Sequence, residues 1–133
     1  MKTLQNNFTT PEQSKRLLEL GVPADSADCY WNSTREHGKV VWFHIGVREI
    51  YADFPDWKKY WKYGGVFGEK IPYYLPCWSV GRIMEICKIC GSYELAKEIY
   101  GRALMYLNTV DGCICEMSYE RNKGNLDFSK LEE

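Results

Sequence analysis

The stretch SVGRIMEICKICGSYELAKEIYGRALMYL, residues 79–107, decides the fold because it predicts two helices separated by a stop signal. Ser79 is placed to cap the first helix, with Trp78 before it and Ile83 in its fourth helical position as a hydrophobic staple. Gly91-Ser92 then ends that helix and caps the second one. The sequence leaves open whether the two helices form an antiparallel pair or a sharp kink.

Apolar residues recur at helical spacing in both segments, which predicts two core helices. The first stripe is wide, as expected for a helix at the centre of a domain. The apolar positions are Val80, Ile83, Met84, Ile86, Cys87, Ile89 and Cys90 in the first helix, and Leu95, Ala96, Ile99, Tyr100, Ala103, Leu104 and Leu107 in the second.

Another helix is predicted over residues 11–20, near the start of the chain. Thr10 and Gln13 form a capping-box pair around Pro11, which occupies the first helical position. Gly21, followed two residues later by proline, is a typical stop signal.

Residues 24–78 are rich in the β-branched and aromatic residues that strands prefer. Strands are predicted at 29–31 and 39–45, and the polar segment between them favours an antiparallel hairpin. Further short strands are expected near 47–51 and 71–75. The sequence therefore predicts an α+β fold with an N-terminal helix, a small antiparallel sheet and two C-terminal core helices.

The chain has the length of one domain, and we expect residues 1–133 to form it. Within it, we expect residues 29–74 to make an aromatic-rich lobe and residues 120–133 a partly ordered tail. Residues 113–119 fit either a strand or a further helical turn. The tail is either loose or held in place by its three apolar residues, which are Leu126, Phe128 and Leu131.

The composition argues against several classes of protein. The 133 residues include 17 basic and 18 acidic side chains, so the chain lacks the basic field of many nucleic-acid binders. No apolar run approaches the roughly 18 residues of a membrane helix, and the N-terminus lacks the apolar segment of a secretory signal. Six cysteines without such a signal favour reduced thiols and a cytoplasmic location. The lack of a long apolar run leads us to expect no membrane partner.

The best candidate binding site is the aromatic and basic stretch 57–63, within a short helix predicted over 53–64. Most aromatic side chains of the chain lie in residues 30–78, more than one small lobe can bury. Such residues suit a protein partner, a second copy in a dimer or, as the alternative, single-stranded nucleic acid. A purely structural role, as the buried stripe of that helix, is also open. The candidates are Trp57, Lys58, Tyr60, Trp61, Lys62 and Tyr63.

The cysteines offer a metal site as an alternative. Cys87-x-x-Cys90 and Cys113-x-Cys115 provide the four thiolates that a structural zinc site needs. The first pair lies in the last turn of a predicted apolar helix face, and the second pair is separated by one residue only. Core packing is therefore favoured, and we expect no metal and no cofactor.

A third function class is a thiol-dependent enzyme built on Cys77, just before the helix that Ser79 caps. The two histidines, His37 and His44, form no recognisable catalytic pair with a cysteine, and no paired carboxylates occur at a useful spacing. The sequence therefore favours a non-enzymatic interaction protein over an enzyme.

Three segments carry a resemblance: TTPEQSKRLLELGVPADSAD (9–28), LPCWSVGRIMEIC (75–87) and LDFSKLEE (126–133). They resemble small uncharacterised proteins of gut anaerobes, often carried on prophages and other mobile elements. The resemblance covers about 40 of the 133 residues and is weakest over 29–74, which implies that this aromatic-rich segment is a variable lobe. It implies an intracellular accessory protein of a mobile element and brings with it no activity, site residue or cofactor.

Overall fold

The computed structural model describes residues 7–36, 39–47 and 74–132. Within these ranges the chain forms four α-helices and a three-stranded antiparallel sheet, so the predicted α+β class is confirmed. The helices are α1 (Pro11–Leu20), α2 (Val80–Cys90), α3 (Tyr93–Ala103) and α4 (Thr109–Asn122); the strands are β1 (Cys29–Glu36), β2 (Lys39–Val47) and β3 (Tyr74–Cys77). No helix among these residues is both long and apolar enough to cross a bilayer.

Helix α1 begins and ends as predicted. The Thr10 hydroxyl accepts a hydrogen bond from the Gln13 backbone N–H at 3.2 Å, and Gln13 Oε1 accepts one from the Thr10 N–H at 2.8 Å. Gly21 ends the helix at φ 110°, a conformation that strains any residue with a Cβ.

The sheet has the order β2-β1-β3, so β1 is its central strand. The predicted hairpin of β1 and β2 is confirmed, with longer strands than expected and an irregularity between Tyr30 and Trp31. Strand β3, predicted near 71–75, pairs with the other edge of β1 and places Cys77 opposite Cys29. The strand expected near 47–51 lies, beyond its first residue, outside the described residues.

The segment before α1 is tied to the start of α2 through Thr9, which is fully buried. The Thr9 N–H donates to the Trp78 carbonyl at 2.9 Å, and the Trp78 N–H donates to Thr9 Oγ1 at 3.0 Å. The buried Trp78 indole N–H donates to Ser26 Oγ at 3.0 Å. Ser79 caps α2 as predicted, because its hydroxyl accepts from the Arg82 N–H at 3.1 Å.

Three helices, rather than the predicted two, follow the sheet. Helices α2 and α3 are separate, and Ser92 Oγ caps α3 by accepting from the Leu95 N–H at 3.0 Å. The strand alternative for 113–119 is wrong, because these residues lie within α4, which Asn108 caps through the Asp111 N–H at 3.0 Å. The helical period of this segment is weak in the sequence because α4 buries adjacent residues and not only residues one turn apart. The buried residues are Val110, Gly112, Cys113, Ile114, Met117 and Glu120.

The C-terminal segment is held by its apolar residues. Leu126 and Phe128 are buried in the core, and Leu131 packs against it. The Asp127 N–H also donates to the Cys90 carbonyl at 3.0 Å, which ties the segment to the end of α2. A single core therefore connects all four helices with this tail.

Candidate functional site

The site that the sequence puts forward lies outside the described residues. This applies to the whole stretch 57–63 and therefore to each of its candidates, Trp57, Lys58, Tyr60, Trp61, Lys62 and Tyr63. The structure instead shows where the cysteines lie and which other side chains come together.

The four cysteines of the zinc alternative are not brought together. Cys87, Cys90 and Cys113 are buried, whereas Cys115 is exposed and its Sγ lies 3.6 Å from Arg16 Nη2. Two residues along a helix turn the side chain by about 200°, which separates Cys113 from Cys115. Across residues 7–36, 39–47 and 74–132, no three Cys, His, Asp or Glu side chains are grouped to hold a metal ion.

The buried thiols of α2 and α4 are held in their neutral form. Burial, reinforced by the neighbouring thiols, raises the pKa of Cys87 to about 12. Burial likewise raises the pKa values of Cys90 and Cys113 to about 11. These thiols pack as small apolar side chains, since a nucleophilic or metal-binding cysteine needs the thiolate.

Cys77 is fully buried, and its Sγ donates to the Thr9 carbonyl at 3.4 Å. Cys29 faces it from β1 and is also buried, with 4% exposure. The hydrogen bond between the two thiols, together with burial, raises the pKa of Cys29. A substrate therefore has no access to either thiol in the described structure.

A polar cluster joins α3 to α4. Arg102 Nε lies 2.6 Å from Glu116 Oε1, and Arg102 Nη2 lies 2.8 Å from Glu120 Oε2. Tyr106 Oη donates to the other oxygen of Glu116 at 3.1 Å, and Asn125 Nδ2 donates to the other oxygen of Glu120 at 2.7 Å. The hydrogen bonds that Glu116 accepts from Arg102 and Tyr106 raise the pKa of both of these groups. Since each carboxylate oxygen has a donor, the cluster works as a structural clamp rather than as an acid–base pair.

One side of α3 is apolar and exposed. Tyr93, Tyr100 and Leu104 are spaced by seven and four residues, which places them on the same side of the helix. Their exposed fractions are 58%, 38% and 54%, and the turn that follows adds Met105 at 86% and Leu107 at 108%. We call these five side chains the α3 face.

The sequence prediction placed Tyr100, Leu104 and Leu107 in the core, and this is wrong. The core side of α3 consists of Ala96, Ile99 and Ala103, which contribute little volume. The apolar residues of this segment therefore form two neighbouring stripes, of which the protein buries one. The sequence indicates this second stripe, since the apolar positions predicted for the helix cover a wider arc than one core-facing stripe.

A groove of about 270 Å³ between α2 and α3 adjoins the α3 face and shares Tyr93 and Tyr100 with it. The ammonium of Lys97 lies 5.2 Å from the centre of the Tyr93 ring at this point. The groove is lined by Gly81, Met84, Glu85, Lys88, Tyr93, Ala96, Lys97 and Tyr100.

The α3 face and its groove form the described surface best suited to binding a partner, because large apolar side chains lie exposed beside a concave region. Comparison of the chain with protein-family models, with curated proteins and with solved structures gives no match.

Proposed function

We propose that this protein is a non-enzymatic interaction protein that binds another protein through the α3 face. The supporting observation is the exposed apolar area of this face. With roughly 200 Å² for each fully exposed large residue, the five exposed fractions amount to roughly 700 Å² of residue surface, most of it apolar. The largest apolar patch of a typical monomer is roughly 300–600 Å², so this face has the size of a binding surface.

The residue types on the α3 face are those that protein interfaces prefer. Tyrosine and methionine are enriched at such surfaces, and two tyrosines provide large contact areas at low cost in side-chain entropy. Covering apolar surface in contact with water gains about 25 cal/mol per Å², which favours a bound state. The five side chains are uncharged, and the adjoining groove combines Lys88 and Lys97 with Glu85, so this surface lacks the row of cations that nucleic-acid binding needs and favours a protein.

The interaction role is also the prediction made from the stretch 57–63. That stretch lies outside the described residues, so a contact through its aromatic and basic side chains stays a separate prediction. The α3 face supports the same class of function from a different part of the chain.

The proposal includes a cytoplasmic location and a role as accessory protein of a mobile element. All six cysteines are free and five of them are buried, which supports a reducing compartment. The resemblance of residues 9–28, 75–87 and 126–133 to proteins carried on prophages supports the second part.

The test is photo-crosslinking of the full chain in living cells that express it. In two test variants, the photoreactive residue benzoylphenylalanine replaces Tyr100 or Leu104. In the control variant it replaces Tyr119, which is 56% exposed but lies on α4. We expect protein adducts of defined mass from positions 100 and 104 and none from 119. Adducts from all three positions, or from none, would contradict a docking role of the α3 face.

A further inference from the structure

We infer that the partner bound at the α3 face is a second copy of this chain, packed antiparallel across a two-fold axis near Tyr100. The inference rests on the proposed function and names the partner of the same surface. It follows from the spacing of the side chains along one side of α3, from the area that they expose and from the position of Lys97 between Tyr93 and Tyr100.

The side chains along this side of α3 have the spacing of a helix–helix contact. Tyr93, Lys97, Tyr100 and Leu104 follow one another at four, three and four residues, as positions that face a partner helix do. Tyr100 lies midway along the chain between Tyr93 and Leu107. In an antiparallel pair centred on Tyr100, the Tyr93 end of each copy therefore meets the Leu107 end of the other.

This arrangement gives the self-complementary contact of a two-fold dimer. Each copy contributes the same surface, and each apolar end is covered by an apolar end. The roughly 700 Å² of the α3 face, estimated from large side chains of about 200 Å² each, is close to the about 800 Å² that each partner of a standard interface buries. The neighbouring groove, with Met84 in its lining, supplies further apolar surface at the edge.

Lys97 decides between parallel and antiparallel packing. In a parallel pair, the two Lys97 ammonium groups would lie opposite each other in the contact and repel. In the antiparallel pair, each lies three residues from the axis, so the two are separated by about 9 Å along the helices. That distance exceeds the screening length of about 8 Å at physiological salt. Each ammonium also keeps its own Tyr93 ring 5.2 Å away and its own Glu94 carboxylate 4.0 Å away.

The test uses cysteine crosslinking with the purified full chain. Tyr100→Cys is made in a Cys115→Ser background, because Cys115 is exposed and the other five cysteines are buried. A short bifunctional maleimide should then link two copies to twice the chain mass of 15.6 kDa. Tyr119→Cys in the same background is the matched control, and we expect at least tenfold less crosslinked product from it.

Native mass spectrometry of the unsubstituted chain completes the test. We expect a dimer at about 100 µM, above the micromolar Kd that interfaces of this size reach. A monomer at that concentration overturns the inference. A dimer also overturns it if positions 100 and 119 give equal amounts of crosslinked product, or if neither gives any. Cellular adducts of Tyr100 with another protein only, in a chain that stays monomeric, would overturn the inference and leave the proposed function standing.

Discussion

Arg102 on α3 and Glu120 on α4 are joined by an ion pair, with 2.8 Å between Arg102 Nη2 and Glu120 Oε2. Glu120 is only 5% exposed, so its carboxylate depends on Arg102 and Asn125 in place of water. The same guanidinium binds Glu116 at 2.6 Å. One arginine between two carboxylates therefore fixes α3 against α4 and sets the position of the α3 face.

Removing the arginine should destabilise the fold. Arg102→Met leaves the Glu120 carboxylate buried with one donor fewer, and we expect a loss of about 2 kcal/mol in the free energy of unfolding. Urea denaturation followed by circular dichroism measures it. Arg121→Met, at an exposed position of α4, is the matched control and should change stability by less than about 0.5 kcal/mol. Equal losses in the two variants would show that the clamp contributes nothing.

Two helical glycines should respond to alanine in opposite directions. A Cβ on Gly112 would lie 2.8 Å from the Ala103 carbonyl oxygen and from the Tyr106 ring, so Gly112→Ala should cost about 1–3 kcal/mol. A Cβ on Gly101 meets no atom within 4 Å, and Gly101→Ala should stabilise by about 0.5–1 kcal/mol. Thermal unfolding of both variants measures the difference. Stabilisation by Gly112→Ala would mean that α4 does not approach the end of α3 so closely.

The hydrogen bond between Thr9 and Trp78 should contribute measurably to the free energy of unfolding. Thr9 Oγ1 accepts from the Trp78 N–H at 3.0 Å and lies 2.7 Å from Ser14 Oγ. Thr9→Val keeps the shape but leaves a buried N–H without its acceptor, and we expect a loss of about 2 kcal/mol. Thr109→Val, at the half-buried first residue of α4, is the control. A loss no larger than in this control would contradict the anchoring role of Thr9.

The buried thiols predict a loss of stability at alkaline pH. Burial raises the pKa of Cys113 from its ordinary value of 9.0 to about 11, so the folded state holds this proton more tightly than the unfolded state. The resulting stabilisation is complete below pH 9.0 and is lost as the pH rises towards about 11. Urea titrations at several pH values across this window should therefore show a shallower decline for Cys113→Ala than for the unsubstituted chain. Cys115→Ala, which alters an exposed thiol, is the control, and an identical decline in all three proteins would contradict the prediction.

The helix starts were predictable because their signals are local. The caps formed by Thr10, Ser79 and Ser92 each join a side chain to a backbone N–H three residues later. The end of α1 was predictable for the same reason, because the left-handed conformation there depends on a single residue, Gly21. These features need no knowledge of the rest of the fold.

The features that were missed depend on distant neighbours. Arg102 meets Glu116 and Glu120 across 14 and 18 residues of sequence, and no local pattern predicts such a cluster. The exposure of Tyr100 and Leu104 depends on where α2 and α4 lie, since the helical period alone does not say which apolar stripe is buried. The separation of Cys113 from Cys115 follows from α4 being a helix, which the weak period of that segment concealed.

Sedimentation equilibrium of the unsubstituted chain beside Leu104→Glu shows whether the α3 face is covered by a second copy of the chain. We predict twice the chain mass of 15.6 kDa for the unsubstituted protein at about 100 µM. Leu104→Glu, which places a charge within the contact, should have the mass of one chain and keep the helical circular dichroism of the folded protein, since residue 104 is 54% exposed within each copy. A monomeric unsubstituted chain, or a Leu104→Glu variant that associates equally well, would show that the α3 face is not a dimer contact.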